Sequence, residues 1–296
     1  MKTQKKITIL IIMIIIFGWV TVPLCFEFRD SLGRKVTLQA RPERIVSLAP
    51  SLTEILFFLG LGKKVVGVTQ FSDYPPEANL KPKVGSYINL NVEKIISLSP
   101  DLVIGTADGN KSGIVDILAQ AGIPVYIINP RNIRDVIKVI DIIGKVCGMP
   151  DKAHSLSKQL SGRVEFVREK SMNRKSPLVF LQINLKPIMT VNRNTFHHDL
   201  IRVAGGINMA GDEPVTYPRI SLEEVIRRKP EIIIISSMER GGRFEKARMQ
   251  WLKWTSIPAV KNKRVHNIES DLIDRPSPRI IKGLEAMSRI IHPEIK

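Results

Sequence analysis

Cysteine is nearly absent from this chain, with two among 296 residues, Cys25 and Cys147. That scarcity excludes a disulfide framework and a thiolate metal cluster. Histidine is scarce too, at 154, 197, 198, 266 and 292. His197 and His198 are neighbours, and adjacent helical residues point about 100° apart, so they do not readily share a metal. Nothing ahead of His154 offers an imidazole. A bare metal ion held between two lobes therefore lacks a ligand on one side, no metal site is expected, and the five histidines read as surface residues. The phosphate-cradling GxxxxGK[ST] pattern and the GxSxG nucleophile elbow are both missing. Gly60-Leu61-Gly62 follows a helix pattern rather than a strand, so it reads as a helix cap and turn, not a dinucleotide fingerprint.

Acidic residues are also in deficit, 28 against 45 Lys and Arg, for a net charge of +17. Lys2, Lys5 and Lys6 precede an almost wholly apolar run from Ile7 to Val22, the pattern of an export signal over residues 1–25. Its removal leaves +14 (17 minus the three lysines). Cys25 admits a second reading as an acylated first residue, although Pro23 and Leu24 stand where small residues are wanted. An uncleaved anchor stays open, because the run is long. Export and the dispersal of the basic residues argue against nucleic acid. They favour a basic solvated surface near anionic lipid. Cys147, inside an apolar stretch, reads as a buried inert thiol.

What the chain does have is one long polar segment at its centre. Pro150 to Asn173 carries Ala153, Leu156, Leu160, Val164 and Val167 at spacings of three and four. The spacing predicts a single helix with one apolar stripe, about 33 Å long over Asp151–Met172. Similar segments flank it. Glu93 is followed by Lys94-Ile95-Ile96, Pro100, Asp101 and Leu102-Val103-Ile104. Glu223 is followed by Glu224-Val225-Ile226, Pro230, Glu231 and Ile232-Ile233-Ile234. Each reads as a short helix, a proline stop and a buried strand.

Around these, strand and helix patterns alternate: strands near 44–48, 64–68, 102–105, 124–128, 178–183 and 264–268, and helices near 53–59, 112–121, 133–146, 195–204 and 278–290. A hairpin turning at Asp30-Ser31-Leu32-Gly33 comes first. The expected fold class is α/β, with two Rossmann-like lobes of parallel sheet joined by one interlobe helix. The expected division is 26–149, 150–173 and 174–296.

Ligands of parallel sheets bind beyond the C-terminal strand ends. The loops there are 49–51, 69–76, 106–110, 184–187 and 270–278. Aromatics make up only 6% of the chain, yet Phe71, Tyr74, Tyr87 and Tyr217 fall in loops. Tyr87 and Tyr217 occupy matching loops ahead of the two repeat helices and suit a large flat ligand. Asp73, Asp108 and Asp271 are loop carboxylates that ordinarily cap helices or make turns. Glu93 and Glu223 open the repeat helices, where a carboxylate favours the dipole. The same pair offers an acidic knob on each lobe for a two-fold partner with basic sockets.

Arg44 to Glu54, Ser72 to Ala78, Asn91 to Ile104 and Ser277-Pro278-Arg279 together resemble the periplasmic cobalamin-binding proteins of ABC importers, a family that also binds ferric siderophores and haem. The resemblance runs from about Arg41 to the C-terminus. It implies little hinge closure, no catalysis, no cofactor, and a monomer that delivers its ligand to an inner-membrane permease dimer with its ATPase. It matches Glu93 and Glu223 to glutamates that meet permease arginines. It places the ligand against Ser51, Phe71, Tyr87, Tyr217, Asp271 and Arg275. The chain departs from the family where Tyr87 and Tyr217 replace tryptophan and where Thr106 and Ile183 replace further aromatics. A corrinoid is the first ligand expected, with a ferric siderophore or haem second. An enzyme acting on a corrinoid or other tetrapyrrole would need Asp108 and Asp271 as its acid–base pair.

Overall fold

The computed structural model describes residues 25–110, 112–236 and 243–295. Residues 1–24, which carry nearly all of the expected export signal, lie outside the described residues. Two four-stranded parallel sheets form the body. The first holds β3 (Ile45–Ser47), β4 (Val65–Val68), β5 (Leu102–Thr106) and β6 (Val125–Ile128), in the order β4-β3-β5-β6. The second holds β7 (Leu178–Gln182), β8 (Ile207–Asn208), β9 (Ile232–Ile235) and β10 (Val265–Asn267), in the order β10-β9-β7-β8. Counted within each lobe, both read 2-1-3-4, one doubly wound plan used twice. The central strands are buried throughout, because helices cover both faces. Ahead of the first sheet, β1 (Phe26–Arg29) and β2 (Lys35–Leu38) form the expected hairpin. Buried Asp30 accepts the amides of Leu32 and Arg34 to close its turn.

The sequence repeat is also a structural repeat. Asn91 caps helix Val92–Ser97 by accepting Lys94 N at 2.9 Å, and Ser221 caps helix Leu222–Arg228 by accepting Glu224 N at 3.2 Å. Both helices end on a non-glycine residue in the left-handed region, Ser99 (φ 45°) and Lys229 (φ 50°), just before the buried prolines. The acidic residue after each proline then ties the third strand to the first. Asp101 accepts the amides of Glu43 and Arg44 at the entry to β3. Glu231 accepts the amide of Leu178 at the entry to β7.

The connector is one helix, Pro150–Ser171. Its buried positions are Ala153, Ser157, Leu160, Val164, Val167 and Ser171. The stripe differs from the expected one where Ser157 takes the inward place and Leu156 is half-buried, and it extends one turn further, to Ser171. The observed spacings of four, three, four, three and four keep one seam inward, as a repeat of 3.5 requires. Ser157 Oγ donates to the Ile137 carbonyl at 3.3 Å, which satisfies the buried hydroxyl. On the outer side Arg163 clasps Glu285 of the closing helix Ile280–Ile291 at 2.7 Å. One apolar core runs from Leu52 and Ile140 of lobe one, through Leu160 and Val164, to Leu200 and Leu284 of lobe two. The lobes are therefore not beads on a hinge.

Several expectations need correction. Pro50 opens helix Pro50–Phe58 rather than sitting in a loop, since proline suits the first helical turn. The 270–278 loop contains a short helix, Ser270–Ile273. Helices Arg243–Trp251 and Pro258–Lys261 and the short strand β8 were not foreseen. The first of these buries only Ala247 and Trp251 among its described side chains, too few apolar positions to set a period. His197 and His292 are buried, not surface residues, because distant parts of the chain receive them, Asp274 for His197 and Gly205 for His292. Cys147 is buried as expected, and burial pushes its thiol up to about 12.

Candidate functional site

Loops beyond the C-terminal strand ends of both sheets meet between the lobes, and a tyrosine from each lobe comes within electrostatic reach of the other there. Tyr87 sits in a loop turned at Gly85 (φ 112°), where a Cβ would collide with the Asn89 carbonyl, so glycine is required. Its hydroxyl pairs with Thr106 Oγ1 at 2.9 Å, at the end of β5. Its ring lies on Gly109, where any side chain would overlap it. Buried Asn110 braces this wall. It accepts the Thr106 amide at 2.7 Å and donates to the carbonyls of Leu48 and Tyr87, each at 3.3 Å. Thr106 thus anchors the ring rather than lining the cleft as an aromatic would.

Tyr217 is held from lobe two. The amides of Thr190 and Asn192 donate to the carbonyls of Pro218 and Thr216 on either side of it, each at 3.0 Å. Burial, and then Asp108, push its phenol above the ordinary value; Arg131 opposes this, and Tyr87 and Asp274 add to it. Asp108, Arg131 and Tyr87 all belong to lobe one, so Tyr217 lies close to them across the lobe boundary. Burial likewise raises the Tyr87 phenol, against its bond to Thr106. Both rings therefore stay neutral and present aromatic faces.

The remaining four residues gather differently. Arg275 is 8% exposed and pairs with three carboxylates, Asp271 at 2.9 Å, Asp73 at 3.0 Å and Glu54 at 3.2 Å. It also reaches the Phe71 carbonyl at 3.4 Å. Phe71 itself is 54% exposed, a free aromatic face beside this cluster. Ser51 is buried in the first turn of helix Pro50–Phe58 and offers almost no surface. The structure thus brings Phe71, Asp271 and Arg275 together and Tyr87 near Tyr217, while Ser51 is buried and offers almost no surface to a ligand.

The cluster's centre was missed in the sequence. Glu54 is buried and accepts Ser277 Oγ at 2.6 Å, Arg279 at 2.6 and 2.8 Å, and Arg275 at 3.2 Å. Glu54 and Asp73 belong to lobe one, and the two arginines and Ser277 to lobe two, so the network bridges the lobes. The guanidinium of Arg279 also stacks on Tyr74 at 4.0 Å. The available signal was a lone carboxylate within the apolar run Leu52–Leu59. Behind it, buried Asp274 pairs with His197 at 3.0 Å and accepts Ser236 Oγ at 2.7 Å, a polar chain the sequence did not reveal. A further bridge joins Ile133 N of lobe one to Asp199 of lobe two at 3.0 Å.

The two carboxylates that an acid–base pair would need are already engaged. Asp108 is paired with Arg131 at 2.9 Å and Asp271 with Arg275, so neither stands as a free acid or base. Among the described residues, no three His, Cys, Asp or Glu side chains converge as a metal site. On the outside, Glu93 and Glu223 are exposed in the first turns of their helices, and neither forms an ion pair among the described residues. The Glu223 carboxyl is held below its ordinary value by its own backbone amide and by the Ser221 hydroxyl. Neighbouring Glu224 is held down to about 2 by Arg227 and Arg228.

Comparison with known proteins gives consistent relatives. The family described as periplasmic binding protein matches residues 45–272. The vitamin B12-binding protein of Yersinia pestis (strain Pestoides F) is 32% identical over 253 residues, covering 85% of this chain and 88% of that protein. Among solved structures, the periplasmic vitamin B12 binding protein BtuF of Vibrio cholerae superposes with a TM-score of 0.79 at 29% identity, over 86% of this chain and 99% of that one. The periplasmic heme-binding protein RhuT of Roseiflexus sp. RS-1 superposes at 0.76 with 27% identity, over 86% and 99%.

Proposed function

The chain belongs to the periplasmic binding protein family, and we propose that within it this protein captures a bulky metal chelate, a corrinoid of the vitamin B12 type, between its lobes. It is the substrate-binding protein of an ABC importer, not an enzyme, and its ligand is cargo rather than cofactor. The observation that carries the corrinoid reading is the pair of half-buried rings, Tyr87 and Tyr217, brought near one another from matching loops of the two lobes. Such walls grip a large ligand by apolar and dispersion contact, with affinity drawn from buried area rather than charge. Phe71 extends the aromatic surface, and Asp271 and Arg275 set a polar end to the cleft.

The same rings bear on the rival ligands, haem or a ferric siderophore. A phenolate would be the natural ferric ligand of such a cleft. Here the Tyr87 hydroxyl is engaged with Thr106, which keeps its oxygen from such a ligand role. Delivery proceeds by docking: exposed Glu93 and Glu223, one per lobe, meet arginines of a two-fold permease dimer coupled to its ATPase. The protein reaches the periplasm as a monomer through its N-terminal signal, with Cys25, exposed in this structure, as the point of cleavage or of a lipid anchor. The deciding experiment is a visible absorption titration with cyanocobalamin, haem and a ferric siderophore in parallel. One-to-one saturation by cyanocobalamin alone is expected. Saturation by haem or siderophore with no response to cyanocobalamin overturns the corrinoid reading.

A further inference from the structure

Charge is divided unevenly between the lobes. Residues 26–149 carry 15 Lys and Arg against 12 acids, and residues 174–296 carry 22 against 13. The excess concentrates in one stretch: from Lys246 to Arg264 there are six Lys or Arg and no acid. In lobe one, helix Ser112–Gln120 follows the third strand as Arg243–Trp251 does in lobe two, and it holds Asp116 and no basic residue. The asymmetry is thus local and is not imposed by the repeat.

The basic stretch has a definite place. Through Ala247, Trp251, Ile257 and Val260 it packs on the same sheet face as Val225, which belongs to the helix bearing Glu223. A groove of about 540 Å³ runs between them, with Leu222 on one side and Lys246 and Trp254 on the other. Lys246, Lys253, Lys261 and Lys263 are exposed and form no ion pair among the described residues. Trp254 (40% exposed) and Met249 (58% exposed) fall among them in the chain, and Trp254 shares the groove with Lys246. Unpaired lysines around an exposed tryptophan are the chemistry of a membrane–water interface, where the ring sits among headgroups and the ammonium groups meet lipid phosphates.

We propose that this face of lobe two rests on the anionic lipid surface beside the permease. Its position next to Glu223 takes its orientation from the docking reading above, but lipid attachment itself does not require the glutamates. Each lysine near an anionic surface strengthens attachment about fivefold, so four act as one weak, salt-sensitive foot that keeps the protein at the membrane between deliveries. Lobe one, lacking the patch, stays free.

The test uses the chain from Cys25 onward, which contains every element described, and sedimentation with vesicles. Vesicles rich in phosphatidylglycerol are expected to bind it at least tenfold more strongly than pure phosphatidylcholine vesicles, with binding falling steeply as NaCl rises. The variant K246Q/K253Q/K261Q/K263Q is expected to lose more than about tenfold of that partitioning with its melting temperature unchanged. Trp254→Phe should abolish the blue shift of fluorescence on vesicle addition, since Trp251 is already buried. E93Q/E223Q should not reduce partitioning, which separates this proposal from the docking reading. Equal binding to both vesicle types, or undiminished binding by the quadruple variant, overturns the proposal. So does a salt-sensitive self-association that the quadruple variant abolishes while vesicles are ignored.

Discussion

Glu54→Gln is the sharpest perturbation the structure offers. The Glu54 side chain is 1% exposed, and it faces the guanidinium groups of Arg275 (10%) and Arg279 (13%). Neutralising it leaves two largely buried cations together. Arg275 retains Asp73 and Asp271, but Arg279 loses its ion pair. Breaking a buried pair by removing one partner costs about 3–5 kcal/mol, and the remaining partners of Arg275 place this case near the lower end, about 3 kcal/mol. For a chain of this size that corresponds to a fall in Tm of roughly 6–12 °C. The loss crosses the lobe boundary, so the melting of both lobes should shift together. The assay is urea and thermal denaturation of Glu54→Gln, Arg279→Gln and the double variant. A double-mutant cycle should yield a coupling of about 1.5 kcal/mol or more. A loss below about 1 kcal/mol, or additive single variants, would refute the argument that this network locks the lobes.

Three further outcomes follow from named groups. Reversing both Glu93 and Glu223 to arginine should abolish uptake in cells while leaving ligand affinity unchanged by titration; normal uptake would remove the docking role. Tyr87→Ala and Tyr217→Ala should each weaken ligand binding by about tenfold to a hundredfold, as loss of a buried ring implies, whereas Tyr87→Phe should keep affinity and lose about 1 kcal/mol of stability with its bond to Thr106. Burial depresses the folded-state pKa of His198 and, independently, of His266. The unfolded chain therefore binds more protons as pH falls, so stability should decline from about pH 7 downward through the ordinary histidine value near 6.5 and level off below the depressed folded values. The double change to asparagine should flatten that slope in urea denaturation between pH 7 and 5.

What was legible in the sequence was whatever a local period or a punctuating residue encodes. The connector, Pro150–Ser171, announced itself by its apolar spacing and its opening proline. The two repeats announced themselves by the seven-residue step from Glu93 to Pro100 and from Glu223 to Pro230. Buried strands such as Ile232–Ile235 could be read as continuous apolar runs. The helix Arg243–Trp251 could not, because most of its described side chains face solvent and the two buried among them make no pattern.

Tertiary structure alone decided which distant groups meet. Nothing local to Glu54 tells that arginines more than 220 positions later will close over it. Nothing local to His197 tells that Asp274 will bury it, rather than water surround it. The choice of Ser157 over Leu156 on the inward seam depended on the 3.5-residue spacing that packing between two lobes imposes. Short-range patterns specify elements because helix and strand periods act within a few residues. The site is specified by sheet order and lobe apposition, which bring together charges whose sequence neighbours carry no record of one another.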